Sequence, residues 1–199
     1  MKKQNAFNQS YFSGFWRNLR SRKFHPLNDF RVWYILHHFH PKRVFDAGCG
    51  QGLFLEEMMQ KKVSISGCDI SKYAIEQLPF KIRRHCFVHD IRMPILLRGI
   101  RYVVVSCVDI LEHLDVHDVP NVLSSLTKIA QATVYLEITV KEDVFFIHND
   151  PTHITKFSRK KWFRILKNIL KKNKRWTVSY GPYIQFLRNG IFLLQKNTV

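Results

Sequence analysis

The chain has 199 residues, of which 46% are hydrophobic and 24% charged, and its formal net charge is +17. These proportions are typical of one folded domain with short extensions, and they exclude a largely disordered chain. No segment approaches the ~20 apolar residues that a transmembrane helix needs. No apolar run follows Lys2 and Lys3, as it would in a signal peptide.

The positive charge is concentrated at the two ends of the chain. Residues 1–27 carry six lysines and arginines and residues 151–199 carry twelve, with no acid in either segment. All fifteen acids lie in residues 28–150, beside fourteen lysines and arginines. Basic ends attract RNA, anionic lipid or a phosphorylated substrate, although a lysine-rich surface without a dedicated partner has the same composition.

The N-terminal segment, residues 1–27, is aromatic as well as basic. Tyr11, Phe12, Phe15 and Trp16 precede a group of arginines and a lysine. Aromatic rings that stack and cations that hold phosphates form single-strand nucleic-acid surfaces, and the same residues form a helix that docks on its own domain. We therefore predict a basic, aromatic extension or lid over 1–27 and a folded domain over 28–199.

The remaining elements follow the pattern of an α/β protein. A helix is predicted from residue 28 or 29 to about Phe39, after which short apolar runs alternate with helical segments. Strands are predicted at 44–47, 63–68, 86–88, 102–107 and 133–139, with helices at 52–60, 72–78, 94–98 and 117–130. The residue pattern in the last third of the chain predicts a basic amphipathic helix at 158–172, followed by strands at 175–180 and 190–195. The fold class is therefore α/β, with a doubly wound, seven-stranded sheet that is mostly parallel and ends in an antiparallel hairpin.

The cysteines and histidines indicate no metal site. Cys49, Cys68, Cys86 and Cys107 form no C-x-x-C pair, and each lies in or beside a predicted strand. Free cysteine in such a position behaves as a small buried hydrophobe, which favours a cytoplasmic protein with reduced thiols. The histidines at 37, 38 and 40 are interrupted by Pro41, and a surface cluster at a helix end is predicted.

A glycine loop follows the first predicted strand. Gly48, Gly50 and Gly52 allow a sharp turn and a close approach of a ligand to the backbone, and a helix follows them. A dinucleotide loop has the spacing G-x-G-x-x-G, whereas Leu53 stands here where the third glycine is required. The preceding Asp46 would repel a pyrophosphate and suits a cationic ligand group, so NAD is disfavoured.

Two further acids follow the second and third predicted strands. Asp69 is placed to accept hydrogen bonds from ribose hydroxyls. Asp90 can accept a hydrogen bond from an exocyclic amine such as that of adenine, with Ile91 packed on the base. Because ligands of open α/β sheets bind at the carboxyl ends of the strands, we expect these acids and the glycine loop to share one crevice.

These motifs, in this order, resemble those of class I S-adenosylmethionine-dependent methyltransferases. The segments 44–52, 66–71 and 89–91 look like the family's first three motifs, and 105–114, which contains Leu111-Glu112-His113-Leu114, looks like the fourth. The resemblance covers roughly residues 30–195. It implies a Rossmann-like methyltransferase fold, a methyltransferase domain over 28–199 and S-adenosylmethionine as cofactor.

The resemblance also implies roles for individual residues. Asp46 and the loop Gly48, Cys49, Gly50 and Gly52 would border the methionine part of the cofactor. Asp69 would hold the ribose, and Ile70 beside it would also contact the cofactor. Asp90 and Ile91 would hold the adenine, and Ser106, Cys107 and Val108 would line the pocket near the sulfonium. Glu112 and His113 begin a helix beneath the pocket in this family, which makes a structural role at least as plausible for them.

A candidate base follows the fifth predicted strand. The segment 148–154 contains Asp150-Pro151-Thr152-His153, and it resembles loops of bacterial methyltransferases that act on small molecules, quinones and surface glycans. Histidine titrates near neutrality, so His153, or else His148, could accept a proton from a hydroxyl acceptor. The alternative is that His153 binds the backbone and that Ser158 caps the next helix.

We therefore predict a methyltransferase that acts by in-line displacement on a small-molecule, lipid-linked or glycan acceptor. The basic ends keep an RNA methyltransferase open as an alternative. No N/D-P-P-[YF] segment, which is typical of enzymes that methylate base amines, follows the fourth strand. A non-catalytic subunit that binds the cofactor and supports a partner is a third possibility.

Overall fold

The structure is a computed structural model that describes residues 7–13, 26–97, 99–142, 150–182 and 190–197. The helices are α1 (Gln9–Ser13), α2 (Pro26–Phe39), α3 (Leu53–Gln60), α4 (Lys72–Glu76), α5 (Phe80–Arg83), α6 (Val119–Ile129) and α7 (Arg159–Leu170). The strands are β1 (Arg43–Ala47), β2 (Ser64–Asp69), β3 (Cys86–Val88), β4 (Tyr102–Val108), β5 (Ala130–Glu137), β6 (Trp176–Tyr180) and β7 (Ile191–Lys196).

The seven strands form one sheet in the order β3-β2-β1-β4-β5-β7-β6. The pairs among β1 to β5 are parallel, and β7 is antiparallel to both β5 and β6. The predicted fold class is thus confirmed, including the antiparallel C-terminal strands. The strand order reverses between β1 and β4, and a crevice opens at this point on the carboxyl edge of a doubly wound sheet.

Helices cover both faces of the sheet. On one face, α6 and α7 bury Leu123, Leu126, Trp162 and Leu166 against the strands. On the other face, α2 and α3 bury apolar side chains such as Ile35. The central strands are nearly continuous apolar runs in sequence, because helices shield both faces of the sheet from water.

Two helices are capped by serines, of which only Ser158 is a cap expected from the sequence. Ser158 caps α7, because its hydroxyl accepts the backbone N–H of Lys161 at 3.3 Å, and Ser71 caps α4 through the N–H of Ala74 at 3.1 Å. The apolar side of α7 covers the sheet, and its basic side faces water.

The predicted helix at 94–98 is wrong over the described residues 94–97, which form no regular element. Leu96 is 86% exposed and Ile95 is buried, so the apolar residues of this segment do not form one helical face. The predicted helix at 72–78 is present as the slightly shorter α4, and the sequence did not predict α5, which begins after Pro79. None of the helices in the described ranges has both the length and the apolar character that crossing a bilayer requires.

Candidate functional site

A cavity of about 170 Å³ opens at the carboxyl ends of the parallel strands. Seven of the predicted cofactor residues line this cavity, namely Gly48, Gly50, Asp69, Ile70, Asp90, Ile91 and Val108. The topology brings them together because they follow strands that are neighbours in the sheet. The crevice expected from the sequence is therefore present at the expected edge.

The glycine loop has a backbone that only glycine adopts readily. Gly48, Gly50 and Gly52 have φ angles of 86°, 48° and 73°. A Cβ on Gly48 would lie 2.3 Å from Cδ1 of Ile110, so space as well as conformation requires glycine there. The N–H groups of Gly48 and Cys49 donate to the carbonyl of Cys68 at 2.8 and 2.9 Å, which fixes the loop on β2.

Asp69 joins the end of β2 to the glycine loop. Its carboxylate accepts the N–H of Gly50 and the N–H of Ser71, each at 2.8 Å. Burial raises the pKa of Asp69, and the two backbone hydrogen bonds oppose that rise by favouring the ionised form. The carboxylate is thus held at the cavity wall by the same loop that shapes the cavity.

Asp90 is engaged by an arginine that the sequence analysis did not single out. The guanidinium of Arg92 forms a two-pronged ion pair with the Asp90 carboxylate, in which Nε lies 2.9 Å from both oxygens. Partial burial raises the pKa of Asp90, but the hydrogen bonds from Arg92 outweigh it, and the pKa lies below its usual value. An adenine amine would therefore share this carboxylate with Arg92.

Five predicted cofactor residues are not among the described residues that line the cavity: Asp46, Cys49, Gly52, Ser106 and Cys107. Gly52 precedes α3 and Cys107 packs within the core. Asp46 lies behind the glycine loop, where its Oδ1 accepts the hydroxyl of Ser106 at 2.7 Å. Burial raises the pKa of Asp46 to about 6, against opposing effects of Ser106 and Arg31.

The raised pKa of Asp46 predicts a pH-dependent effect of Asp46→Asn on stability. The unfolded chain releases the proton near pH 3.8 and the folded chain near pH 6, so the folded state loses stability as the pH rises through that interval. We expect Asp46→Asn to match the unmodified chain at pH 4 and to exceed its free energy of unfolding by about 2–3 kcal/mol above pH 6. Urea denaturation of both proteins across this range measures the difference.

The stabilities of the two proteins must be compared at each pH, because the titration of His153 changes the stability of the folded state with pH in the opposite direction. Burial, and next His113, lower the pKa of His153 to about 4, so this residue makes the folded state less stable as the pH falls from 6.5 towards 4. The effect is present in both proteins and cancels. A constant difference between Asp46→Asn and the unmodified chain would show that Asp46 titrates normally.

The segment 7–13, which contains α1, supplies aromatic side chains to the same cavity. Phe7, Tyr11 and Phe12 all line it. The carbonyl of Phe7 accepts the hydroxyl of Ser71 at 2.5 Å, and the ring of Phe12 is the nearest group to Gly50, 3.7 Å from where a Cβ would lie. Residues 7–13 therefore contact their own domain. Phe15 and Trp16 lie outside the described residues.

His113 lies at the cavity wall within a polar cluster. Its Nδ1 is 2.9 Å from the hydroxyl of Thr152, which donates its single hydrogen to Asp150 at 2.5 Å. It follows that His113 Nδ1–H donates to Thr152, and the lone pair of the neutral ring then resides on Nε2. The ring of His153 meets that of His113 edge-on at 4.5 Å, but His153 is not among the lining residues. His148 lies outside the described residues.

The same cluster contains a set of ligands suited to a divalent cation. One ring nitrogen each of His113 and His153 and one carboxylate oxygen of Asp150 lie within 4.8 Å of one another. Imidazole and carboxylate are common ligands of Zn²⁺ and related ions. The sequence analysis predicted no metal, because about forty residues separate His113 from the other two ligands and no ligand spacing marks them.

Glu112 is a structural neighbour of this cluster. Its side chain is fully buried and accepts the N–H of Thr139 at 2.8 Å. Its carbonyl accepts the N–H groups of Ile154 and Thr155 at 3.0 Å each. Glu112 therefore holds the 152–155 segment beside the cavity.

Sequence reasoning missed Asp109 as well as Arg92. Asp109 lines the cavity with a φ of 53°, an unusual conformation outside glycine. Its position directly after Val108, at the end of β4, is the signal that could have identified it.

Comparison with known proteins identifies relatives of this fold and site. The family described as "Methyltransferase domain" matches residues 15–179. A ubiquinone biosynthesis O-methyltransferase of Vibrio cholerae is 28% identical over 119 residues, which are 54% of this chain and 46% of that protein. A protein of the same description from Azoarcus sp. is 30% identical over 118 residues, 54% of this chain and 47% of its own. The chain thus spans about half the length of these curated relatives.

Solved structures show the same architecture. Magnesium protoporphyrin IX methyltransferase from Synechocystis with bound S-adenosylhomocysteine superposes with a TM-score of 0.74 at 17% identity, covering 98% of each chain. A plantazolicin methyltransferase in complex with a monoazolic desmethylPZN analogue and S-adenosylhomocysteine gives a TM-score of 0.66 at 17% identity, covering 86% of this chain and 82% of its own. The chain belongs to the methyltransferase-domain family and has the fold of class I S-adenosylmethionine-dependent methyltransferases.

Proposed function

We propose that the protein is an S-adenosylmethionine-dependent methyltransferase that methylates a hydroxyl group of a small molecule. One observation carries this proposal: the glycine loop, Asp69 and the imidazole of His113 line one cavity at the switch point of the sheet. The names of the curated relatives, which are O-methyltransferases of ubiquinone biosynthesis, support an oxygen acceptor.

The residues of the cavity suit the proposed cofactor. Gly48 and Gly50 would accommodate its amino-acid part, Asp69 would accept ribose hydroxyl hydrogen bonds, and Ile70 and Ile91 would pack on the adenine. When ionised, Asp69 accepts hydrogen bonds at both carboxylate oxygens, and its backbone hydrogen bonds favour that state. When bound, S-adenosylmethionine supplies a methyl group already activated by a positively charged sulfur.

The chain's own contribution to the reaction is alignment, exclusion of water and removal of a proton. We propose that Nε2 of His113 accepts the acceptor's hydroxyl proton. The hydrogen bond from Nδ1–H to Thr152, which in turn donates to Asp150, orients the ring and fixes the tautomer in which Nε2 is the acceptor. His153 remains a candidate base, and its lowered pKa keeps it neutral at pH 7.

The aromatic rings of the segment 7–13 support an apolar acceptor. Phe7, Tyr11 and Phe12 close part of the cavity, and the ring of Phe7 lies edge-on to His113 at 5.4 Å. We propose that residues 7–13 act as part of a lid that excludes water from the reacting groups. A small-molecule or lipid-linked acceptor fits such a lid better than a glycan does.

The free cysteines support a cytoplasmic location for the protein.

A screen of methyl transfer tests the proposed function. The purified chain is incubated with S-adenosylmethionine labelled in the methyl group, together with small-molecule, lipid, glycan, RNA and protein fractions. We expect label in the small-molecule or lipid fraction, in a product that is stable as an ether. Label in RNA alone would favour the RNA methyltransferase. Tight binding of S-adenosylhomocysteine without label in any fraction would favour the non-catalytic subunit.

A second candidate, RNA as partner or substrate, is favoured by the surface of α7 and the turn after it. Eight exposed cations lie there, and none of them forms an ion pair with a carboxylate within the described part of the chain. They are Lys160, Lys161, Arg164, Lys167, Lys171, Lys172, Lys174 and Arg175.

If this basic face binds phosphates, affinity for single-stranded RNA will depend steeply on salt. We expect gel-shift binding at about 50 mM salt and a loss of several orders of magnitude by about 200 mM. The double variant Lys171→Glu/Lys172→Glu should weaken binding and flatten the salt dependence. The matched variant Lys42→Glu/Lys61→Glu changes two exposed lysines elsewhere and controls for net charge. No binding at low salt would remove RNA as a partner.

A further inference from the structure

One continuous segment of the chain surrounds the edge strand β3. This strand stands at the end of the sheet order and pairs with β2. Before it, Ile82 of α5 packs in the core on the α2 and α3 face of the sheet. After it, Ile91 and Ile95 pack in the core on the opposite face. Residues 80–101 therefore wrap this edge of the sheet, and we call them the β3 margin.

The β3 margin exposes an unusual number of large apolar side chains. Of the eight such side chains that are exposed in the described part of the chain, five belong to this margin. They are Phe80, Val88, Met93, Leu96 and Ile100. Single exposed apolar residues are ordinary on a protein surface, whereas a group of them at one place marks an interaction surface.

The same margin is basic, within a region that is otherwise acidic. It contains six lysines and arginines and a single acid, whereas the rest of residues 28–150 contains eight lysines and arginines and fourteen acids. Arg83, Arg84 and Arg101 are exposed, and none of the three forms an ion pair with a carboxylate in the ranges that the structure describes. Exposed apolar side chains and available cations thus occur together on one edge of the molecule.

We propose that the β3 margin is a docking surface for a membrane that contains anionic lipids. Aliphatic side chains such as Met93 and Leu96 can enter the boundary between headgroups and acyl chains. Arginines near the membrane surface are attracted by the negative charge of the lipids. Both properties of the margin are therefore matched by one partner.

Two other occupants match the margin less well. Single-stranded nucleic acid stacks on aromatic rings, and Phe80 is the only aromatic residue among the five exposed side chains. In a symmetric dimer, each margin would face the positive charge of its own copy. The charge therefore favours an anionic surface over a second copy of the chain.

The β3 margin is continuous with the cavity. Residues 89–92 belong to the margin and line the cavity wall, and Met93 follows them directly. A membrane bound at the margin would lie beside the cavity, where a lipid-linked acceptor could enter from the bilayer. This choice of acceptor rests on the proposed function, whereas the docking surface itself does not.

Cosedimentation with vesicles tests the docking surface without reference to catalysis. The full chain is mixed with vesicles of phosphatidylcholine alone, or of phosphatidylcholine and phosphatidylglycerol in equal parts. We expect the chain to sediment with the mixed vesicles and to stay in the supernatant with phosphatidylcholine alone. A chain that stays in the supernatant with both would overturn the proposal.

The apolar contribution is tested by Leu96→Ser. Because this side chain is 86% exposed, the variant should fold as the unmodified chain does, and thermal unfolding checks this. We expect its partition into mixed vesicles to fall by about tenfold or more, as for the loss of one buried leucine side chain. Trp33→Ser changes an exposed apolar residue of α2, outside the margin, and should leave the partition unchanged. Equal partition of Leu96→Ser and the unmodified chain would contradict the proposal.

The contribution of charge is tested by two variants with the same change of net charge. Arg83→Glu/Arg84→Glu alters the margin, whereas Lys171→Glu/Lys172→Glu alters the end of α7 and the turn after it. We expect the first to weaken vesicle binding by about tenfold or more and the second to weaken it far less. The reverse order would assign the lipid contact to α7 and overturn the proposal.

Two further results separate the docking surface from its alternatives. A dimer in light scattering that Leu96→Ser dissociates would assign the margin to a second copy and overturn the proposal. A chain that binds mixed vesicles through the margin, yet transfers methyl to no fraction, would contradict the proposed function and support the docking surface.

Discussion

Replacing Asp69 with alanine should weaken the affinity for S-adenosylhomocysteine by about tenfold or more, which corresponds to 1.4 kcal/mol. Two effects combine in this variant. The ribose hydroxyls lose their proposed acceptor, and the N–H groups of Gly50 and Ser71 lose the carboxylate that holds the loop. Isothermal titration calorimetry at pH 7.5 measures the change directly.

Two further variants separate the ribose contact from the support of the loop. Asp69→Asn keeps an oxygen that can accept one of the two backbone hydrogen bonds, so it should bind better than Asp69→Ala and worse than the unmodified chain. Asp115→Ala removes an exposed carboxylate that accepts the N–H of His117, and it should leave affinity unchanged. Equal affinities for Asp69→Ala and the unmodified chain would exclude Asp69 from the cofactor site.

The position of Asp69 illustrates what the sequence alone could establish. A buried strand followed by an acid, after a glycine loop at the end of the preceding strand, is a local pattern. Parallel pairing turns that pattern into a shared crevice, because Ala47 pairs with Cys68 and Asp69 pairs with Val88. The sheet, and the crevice that seven of the predicted cofactor residues line, could therefore be predicted from spacing and strand chemistry.

Contacts between distant segments could not be predicted in this way. Thr152 and His113 are 39 residues apart, and no periodicity connects them. The ion pair of Arg92 with Asp90 is local, yet it depends on the turn after β3, whose conformation the residue types do not determine. Likewise, the sequence of the short segment 7–13 does not indicate where it packs, and only the structure brings Phe7 to His113.

The contacts of Ser106 and Cys107 could not be predicted from the motif alone. The motif places both residues near the end of β4. Successive side chains of a strand point to opposite faces of the sheet, so these two neighbours contact different parts of the protein. Ser106 supports Asp46, and Cys107 packs in the core. Asp109, beyond the strand, reaches the cavity instead.

The largest expected effect on turnover comes from His113. A base that accepts a hydroxyl proton contributes about 10²–10⁴-fold to a rate, so His113→Ala should lower kcat by about 100-fold or more. Affinity for S-adenosylhomocysteine should change far less, because the proposed proton acceptor faces the methyl acceptor. Single-turnover transfer of labelled methyl, with calorimetry on the same sample, separates the two effects.

Neighbouring variants distinguish the base from the residues that position it. Thr152→Val removes the hydroxyl that accepts Nδ1–H of His113, and it should lower kcat by about tenfold while leaving KM for the acceptor nearly unchanged. His153→Ala should have an effect no larger than that of Thr152→Val if His113 is the base. A full loss of turnover in His153→Ala, with activity retained in His113→Ala, would assign the base to His153.

The pH dependence of kcat and the effect of a chelator further distinguish His113 from His153 as the base. If His153 were the base, its lowered pKa would place the acid limb of kcat near pH 4, provided that the chain remains folded there. The unmodified enzyme should be assayed with and without a chelator, because His113, Asp150 and His153 could together hold a cation. Loss of activity with the chelator, restored by Zn²⁺ or Mn²⁺, would show that both histidines act as ligands and would exclude His113 as a free base.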